Sequence, residues 1–409
     1  MDPTSSVCYS KLQHSWRLMV MIYKGRSVFT GEPIQIATRD ARIAAIIPLP
    51  GLQDLPYISP GFIDMQVNGY KGSDYSLENF SPQHLRNILH ETACSGVTQH
   101  IPTLVSSPQQ RIVNTLKVIA QQRADNPDVA SAIPGIHIEG PYLSPEDGPR
   151  GAHDPAVIRD PDIAEFEAWQ EAADGAISMV TLAPERQGAL EFIQHISKAG
   201  VIAAIGHSAA QPERIREAIS AGARYSTHLG NGSHAKLPRL RNYLWEQLAA
   251  EELTAGIIAD GFHLPASVVK TIARTKGLQR LILVSDAALL GGMPPGIHQW
   301  GNLDVQVHDD GHLGMAGTSF LAGAGHLLNW DIVQFMRFTG YSLADTIQLC
   351  TTNPAALLGL PPDSATLQAG APANLTLFTK RPDAQSLHII CTIRNGIEVY
   401  NDASEASGK

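Results

Sequence analysis

Short apolar runs recur through the middle of this chain, and between them the apolar residues return every third or fourth position. The runs at 62–67 (FIDMQV), 97–102 (VTQHIP), 133–139 (IPGIHIE), 177–182 (ISMVTL), 201–206 (VIAAIG), 224–228 (RYSTH), 255–259 (AGIIA) and 281–286 (LILVSD) read as buried strands. Helical periodicity fills the gaps, as in SPQHLRNILHETACS, IAEFEAWQEAA, QPERIREAISAGA and LPASVVKTIARTKG. Several of these open on Ser, Pro or Gln-Pro, as helix starts do. Eight strand–helix units at a spacing of about 30 residues predict a (β/α)8 TIM-like barrel. A doubly wound open sheet is the competing arrangement. It needs no eighth strand, and after its first strand it usually offers a glycine-rich phosphate turn, which FIDMQVNGYKG is not.

The two ends read differently. From 16 to 58 the runs RLMVMIY, SVFT, IQIAT and RIAAIIPL are β-like and broken by Gly, Pro and Asp. Near the other end ANLTLFT and HIICTIRNGIEVY are strands, the latter folded at Asn395-Gly396, a strong hairpin signal. The two β-rich ends are expected to pair into a small β-sandwich domain. Residues 1–59 would be its N-terminal part, 60–362 the barrel and 363–409 its C-terminal part. Residues 1–10 are polar and expected to fray.

Composition narrows the class. At 409 residues and 44% hydrophobic content the chain can bury a large core. A formal charge of −9 with no basic block argues against nucleic acid or an anionic membrane as partner. Cys8, Cys94, Cys350 and Cys391 are scattered with no CxxC pair, as in a reducing, cytoplasmic setting. LMVMIY is not followed by a small-residue cleavage site, and no run approaches the roughly 20 apolar residues of a membrane helix.

The candidate chemistry sits where the strands end. Glu139, His207, His228 and Asp286 close the third, fifth, sixth and eighth strand runs, and barrel active sites lie at the C-terminal ends of strands. A carboxylate and two imidazoles leave coordination positions open, as in a catalytic metal site. Such an ion makes hydroxide available near neutral pH, and Asp286 is placed to take and return a proton. A lone strand-end His or Asp is ordinarily a hydrogen-bonding or helix-capping residue; four at the right ends of the right strands point to a site. No GxSxG elbow or cysteine nucleophile motif is present, which argues against covalent catalysis.

These residues lie within motifs that resemble the amidohydrolase superfamily and, within it, the N-acetylglucosamine-6-phosphate deacetylase family. The motifs are PGFIDMQVNG (60–69), HIEGPYLSPEDGPRGAHDP (137–155), GHS (206–208), THLGN (227–231), IADGFHLP (258–265), LVSDA (283–287), LAGA (321–324) and TNPAALLG (352–359). Most amidohydrolases carry His-x-His on the first strand for a second metal; here Gln66 and Asn68 stand there, as in one-metal deacetylases. The resemblance implies one divalent ion, zinc by preference with Fe2+, Co2+ or Mn2+ as alternatives, held by Glu139, His207 and His228. It implies Asp286 as general base and then acid, and His153 as a histidine beside the scissile amide that polarises the carbonyl or orients the sugar. His263, Gln66 and Asn68 become substrate contacts, and the partners are a small amino sugar and a second subunit of a homodimer. His100, His137, His195 and His308 read as structural or exposed.

One stretch departs from the family pattern. After THL the family carries an aromatic residue, Asn-Ala-Met, and later an arginine that grips the sugar phosphate. Here the run is Gly230, Asn231, Gly232, Ser233, His234, Ala235, Lys236, Leu237, Pro238, Arg239. Asn231 is kept, and Arg239 falls at the expected distance from His228. The backbone N–H groups of Asn231 and Gly232 can cradle a phosphate, and Lys236, Arg239 and Arg241 make the loop basic; ordinary solvated charges are the plainer reading. An unphosphorylated N-acetyl sugar or another N-acyl amine therefore stays open as substrate. The Gly- and Pro-rich stretch 287–300 is expected to close the barrel mouth near Met293 and Trp300. The rival functions are a deamination or cyclic-amide opening on the same scaffold, which would want the His-x-His, and a non-catalytic relative, which would be expected to lose ligands.

Overall fold

The computed structural model describes residues 20–301, 303–318 and 320–403; the expected frayed segment 1–10 and Cys8 lie outside them. Eight parallel strands follow one another around a ring: β1 Phe62–Val67, β2 Val97–Val105, β3 Ile136–Glu139, β4 Ile177–Leu182, β5 Ile202–Ile205, β6 Tyr225–Ser226, β7 Thr254–Ile257 and β8 Leu281–Leu283. Asp286 N–H donates to the Gln66 carbonyl at 2.9 Å, and Val67 bridges Ala287 in parallel, so the last strand returns to the first. The expected barrel is the observed one. Met65, Met179, Ala204, Tyr225, Ile258, Ile282 and Val284 cluster as buried residues of these strands and their ends.

The helices bury one stripe each. Ala189–Lys198 buries Ala189, Phe192, Ile193 and Ile196, a three-and-four spacing that puts all four on one face. Each large side chain so buried contributes about 1.5–3 kcal/mol. Pro82 and Pro212 open their helices at positions where no N–H is needed. Among the described residues, nine helices from Pro82–Cys94 to Leu328–Thr339 follow the strands, one after each except β2, which is followed by two, Gln109–Asp125 and Pro127–Ala132.

Several strands are shorter than their apolar runs. β3 begins at Ile136 rather than 133; Pro134 has no N–H to donate, and a Cβ on Gly135 would lie 2.2 Å from Ser178 Oγ. β8 stops at Leu283, after which Ser285 turns its N–H and hydroxyl to the Asp64 carboxylate at 3.2 and 2.5 Å. The stretch after Asp286 is not a plain loop. Gly296–Trp300 pairs with Leu303–Val307, which pairs with Leu313–Met315, in an antiparallel three-stranded sheet. Met293 and Trp300 pack there against a cluster that includes Leu289, Leu290 and Val307.

The chain ends meet as expected. Ile397–Asn401, His388–Arg394, Leu375–Thr379, Tyr57–Pro60, Met21–Ser27, Pro33–Arg39 and Arg42–Pro48 form one seven-stranded sheet in that order. Tyr57–Pro60 joins the two ends, antiparallel to one neighbour and parallel to the other. The run SVFT ends its strand at Ser27 and turns, with Gly31 N–H donating to the Ser27 carbonyl. Asn395 and Gly396 sit at φ 50° and 76° between Arg394 and Ile397, the left-handed pair that a two-residue hairpin requires. The sheet seats on the barrel through buried threonines: Thr376 and Thr392 donate to the carbonyls of Gly96 and Ala93.

Candidate active site

Three of the four strand-end residues have a backbone conformation that L residues rarely adopt: His207 at φ 50°, His228 at 29° and Asp286 at 51°. Strain of this kind costs on the order of 1–3 kcal/mol per residue and collects at functional sites. Here it turns each side chain from its strand end into the mouth of the barrel. Glu139 Oε1 lies 2.9 Å from His228 Nε2 and 3.3 Å from His207 Nε2, and the two Nε2 atoms are 3.1 Å apart. His153 adds a third Nε2, 3.3 Å from that of His207. Glu139, His207 and His228 are buried, with ligand atoms within 4.8 Å of one another.

With both rings neutral, the Nε2 lone pairs of His207 and His228 converge on the Glu139 carboxylate, an arrangement that is electrostatically poor unless a proton on His228 or a cation sits among them. The donor set therefore fits a divalent cation. The supporting contacts fit as well: His207 Nδ1–H donates to the Pro149 carbonyl at 2.8 Å, which leaves Nε2 to face the cluster. Glycines bracket this ring. A Cβ on Gly232 would lie 2.7 Å from His207 Nδ1, and one on Gly151 3.0 Å from its Cε1.

Electrostatics sort the groups. Burial pushes Glu139 up, but the hydrogen bonds and charges of His207 and His228 outweigh it and hold its carboxyl well below the usual range. Burial disfavours a charged His228, yet Glu139 and then Asp286 bring its imidazole up to about 8. His153 is pushed down to about 3 by burial and by His207, so it is neutral. Withdrawal from water and the Glu139 charge raise Asp286 to about 6, against the pull of His228 and the Asn68 hydrogen bond.

Gln66 and Asn68, expected as substrate contacts, point their amide N–H groups at the two carboxylates. Gln66 Nε2 donates to Glu139 Oε2 at 3.1 Å and Asn68 Nδ2 to Asp286 Oδ1 at 2.7 Å. Their amide oxygens are buried without partners. Asn231 makes a turn onto the His228 carbonyl at 3.0 Å, with its Nδ2 buried and unpartnered, while Gly232 lies against His207. His263 holds the Asp260 carboxylate at 2.7 Å. Arg239 is exposed, and its carbonyl takes the Trp245 indole N–H. The loop instead brings Lys236 and Arg241 to a cavity of about 230 Å3 with Gln211 and His234. Tyr243 lines both that cavity and the one holding His207 and Asn231.

Sequence reasoning missed Ser106, whose hydroxyl is 2.8 Å from His153 Nδ1, and Asp260. Asp260 was within reach, three residues before His263 in a motif already singled out. Ser106 follows a strand by one residue and carries no such signal. His137, read as structural, is buried between Thr103 and Thr181.

The amidohydrolase family pattern matches residues 57–399. The chain belongs to the amidohydrolase family. An N-acetylgalactosamine-6-phosphate deacetylase of Escherichia coli O157:H7 is 30% identical over 379 residues, 91% of this chain and 98% of that one. An N-acetylglucosamine-6-phosphate deacetylase of Danio rerio is 32% identical over 332 residues, 78% of this chain and 80% of its own length. The crystal structure of N-acetyl-D-glucosamine-6-phosphate deacetylase from Mycobacterium smegmatis superposes with a TM-score of 0.82 at 29% identity, covering 93% of this chain and all (100%) of that one. The motif resemblance read from the sequence thus holds for this amidohydrolase, at the level of the deacetylase group as well as of the family. Among the described residues, no helix is long and apolar enough to cross a membrane.

Proposed function

We propose that this amidohydrolase removes the acetyl group of an N-acetylated amino sugar carrying a 6-phosphate, with N-acetylglucosamine 6-phosphate as substrate and glucosamine 6-phosphate and acetate as products. The observation that carries the reading is the meeting of Glu139, His207 and His228, with Asp286 tied beside them by Asn68, in a chain similar to such deacetylases over most of its length. Glu139, His207 and His228 would hold one divalent ion, zinc by preference given two imidazoles and one carboxylate. When bound, the ion supplies Lewis acidity that polarises the amide carbonyl and acidifies water.

The chain's own groups do the rest. Asp286 takes the proton of the attacking water and returns it to the departing amine, one carboxyl in two roles. With the Ser106 hydroxyl donating to Nδ1, neutral His153 carries its proton on Nε2 and can donate to the carbonyl oxygen as charge builds there. Gln66 and Asn68 hold the two carboxylates in place and leave their amide oxygens for substrate or water. Asn231, Gly232 and Arg239 would meet the phosphate end and His263 the sugar hydroxyls, while Lys236 and Arg241 line the adjoining cavity that shares Tyr243 with the one holding His207. The same reading takes 1–59 and 363–409 as one β domain around a barrel of 60–362, and the protein as a cytoplasmic homodimer, which size-exclusion with light scattering would test.

The deciding measurement is acetate release by metal-loaded protein from N-acetylglucosamine 6-phosphate, its galacto isomer and the unphosphorylated parent, with Arg239→Ala and Lys236→Ala alongside. A preference of a hundredfold or more for a phosphorylated sugar supports the reading; no release from any of them refutes it. Equal rates with and without phosphate favour the second reading, an unphosphorylated N-acetyl sugar or another N-acyl amine. The exposure of Arg239 and the altered run after His228 are what recommend that alternative.

A further inference from the structure

The loop after β7 is fastened at several residues, and three of its hydrogen bonds end on one carboxylate. Ala259 N–H donates to Asp331 on the helix Leu328–Thr339 at 2.9 Å, and the Asp260 carbonyl accepts the Trp330 indole N–H from the same helix at 3.0 Å. Phe262 stacks between His312 and His326, and His326 stacks on Trp330 at 3.9 Å. Asp260 Oδ1 accepts the N–H groups of Phe262 and His263 at 2.8 and 2.9 Å. Asp260 Oδ2 is then free for one task, and it receives His263 Nδ1 at 2.7 Å. The two side chains are 2% and 10% exposed.

We infer that Asp260 is a positioning residue, holding His263 as the Nδ1–H tautomer so that Nε2 is offered to the hydroxyl face of a polyhydroxylated substrate. This rests on the reading above, in which His263 meets the sugar. The chemistry is direct. A carboxylate accepts only, so the imidazole nitrogen beside it must carry the proton, and the far nitrogen of the neutral ring becomes an acceptor for a sugar O–H. The loop packs on the one after His228, where a Cβ on Gly230 would come within 3.0 Å of Leu264 Cδ2. The burial of Asp260 and its two backbone donors leave the carboxylate no other rotamer to adopt without losing them.

Asp260→Asn is the discriminating change. Its amide oxygen can still cap Phe262 and His263, but its NH2 faces Nδ1 and forces the proton to Nε2. Nitrogen-15 spectra of the imidazole rings, with His263 assigned through His263→Gln, read the tautomer without substrate. The expected result is Nδ1–H in the unaltered protein and Nε2–H in Asp260→Asn. On N-acetylglucosamine 6-phosphate, kcat/KM should fall about 10–100-fold in either single variant. The double variant should be no worse than His263→Gln, because the two act as one unit, and melting temperature and metal content should hold. An Nε2–H signal in the unaltered protein overturns the inference by itself, as do additive losses in the double variant. If the tautomer switches as expected while the unaltered protein leaves the sugar intact, the positioning role stands and the substrate reading fails.

Discussion

Gly232→Ala should loosen the proposed metal site without touching a ligand. The residue sits at φ 55°, where a methyl group costs about 1 kcal/mol or somewhat more in backbone strain. The larger effect is steric. The new Cβ would stand 2.7 Å from His207 Nδ1, 3.0 Å from its Cε1 and 3.1 Å from the Pro149 carbonyl oxygen. Ordinary contact begins at 3.4 Å, so the ring and the methyl must separate by about 0.7 Å (3.4 − 2.7). The ring has little room to yield. Gly151 approaches its Cε1 side, and Nδ1 is tied to the Pro149 carbonyl at 2.8 Å. Metal–ligand distances tolerate only about 0.2 Å. Disturbing a ligand's supporting contacts typically costs 10–100-fold in affinity, about 1.4–2.7 kcal/mol. The assay is competition of metal-free protein against a chromophoric zinc chelator. Gly200→Ala is the control, being left-handed at φ 81° with nothing within 4 Å of its Cβ. It should lose the backbone increment in stability and keep its zinc affinity. Equal zinc affinity in the Gly232→Ala, Gly200→Ala and unaltered proteins would refute the reasoning.

Three other outcomes follow from the site and the core. Asp286 must be ionised to act as base, so with its pKa raised to about 6 activity should fall on acidification, roughly tenfold per pH unit below a midpoint at or under 6; Asp286→Asn should be inactive at every pH, and a midpoint above 7 would assign the limb elsewhere. His228, at about 8 before metal enters, must shed its proton to become a ligand, so zinc affinity should weaken from pH 8 toward 6 with proton release on binding; calorimetry in buffers of different ionisation enthalpy would count it, and no release at pH 7 would contradict it. Asp74 is raised by burial to about 7, above an unfolded value of 3.8. The native carboxyl therefore keeps a proton that the unfolded one has lost, and stability falls as pH climbs from about 4 to 7, by up to about 4 kcal/mol. Asp74→Asn should flatten that slope and gain stability at pH 8 relative to the parent in denaturant titrations; a net loss at pH 8 would sink the argument.

The sequence by itself determined the barrel and the four residues at its mouth. Glu139, His207, His228 and Asp286 each close an apolar run, and parallel strands in a ring bring all their C-terminal ends to one face whatever the loops do. Asn395-Gly396 was equally legible, because a turn that needs two left-handed residues admits few others. Periodicity is a local property, and it specifies which face a residue takes and where its strand ends. It does not specify partners across the ring. Gln66 meets Glu139 across 73 positions, Ser106 meets His153 across 47 and Asn68 meets Asp286 across 218. Those distances are set by barrel closure and by the left-handed turns at His207, His228 and Asp286. The small sheet from Gly296 to Met315 was hidden for a related reason, since its glycine- and proline-rich approach resembles a loop until its strands pair. Tertiary structure alone decided which polar groups face one another. A hydrogen bond depends on a few tenths of an ångström in the folded chain, and spacing along the sequence carries no such precision.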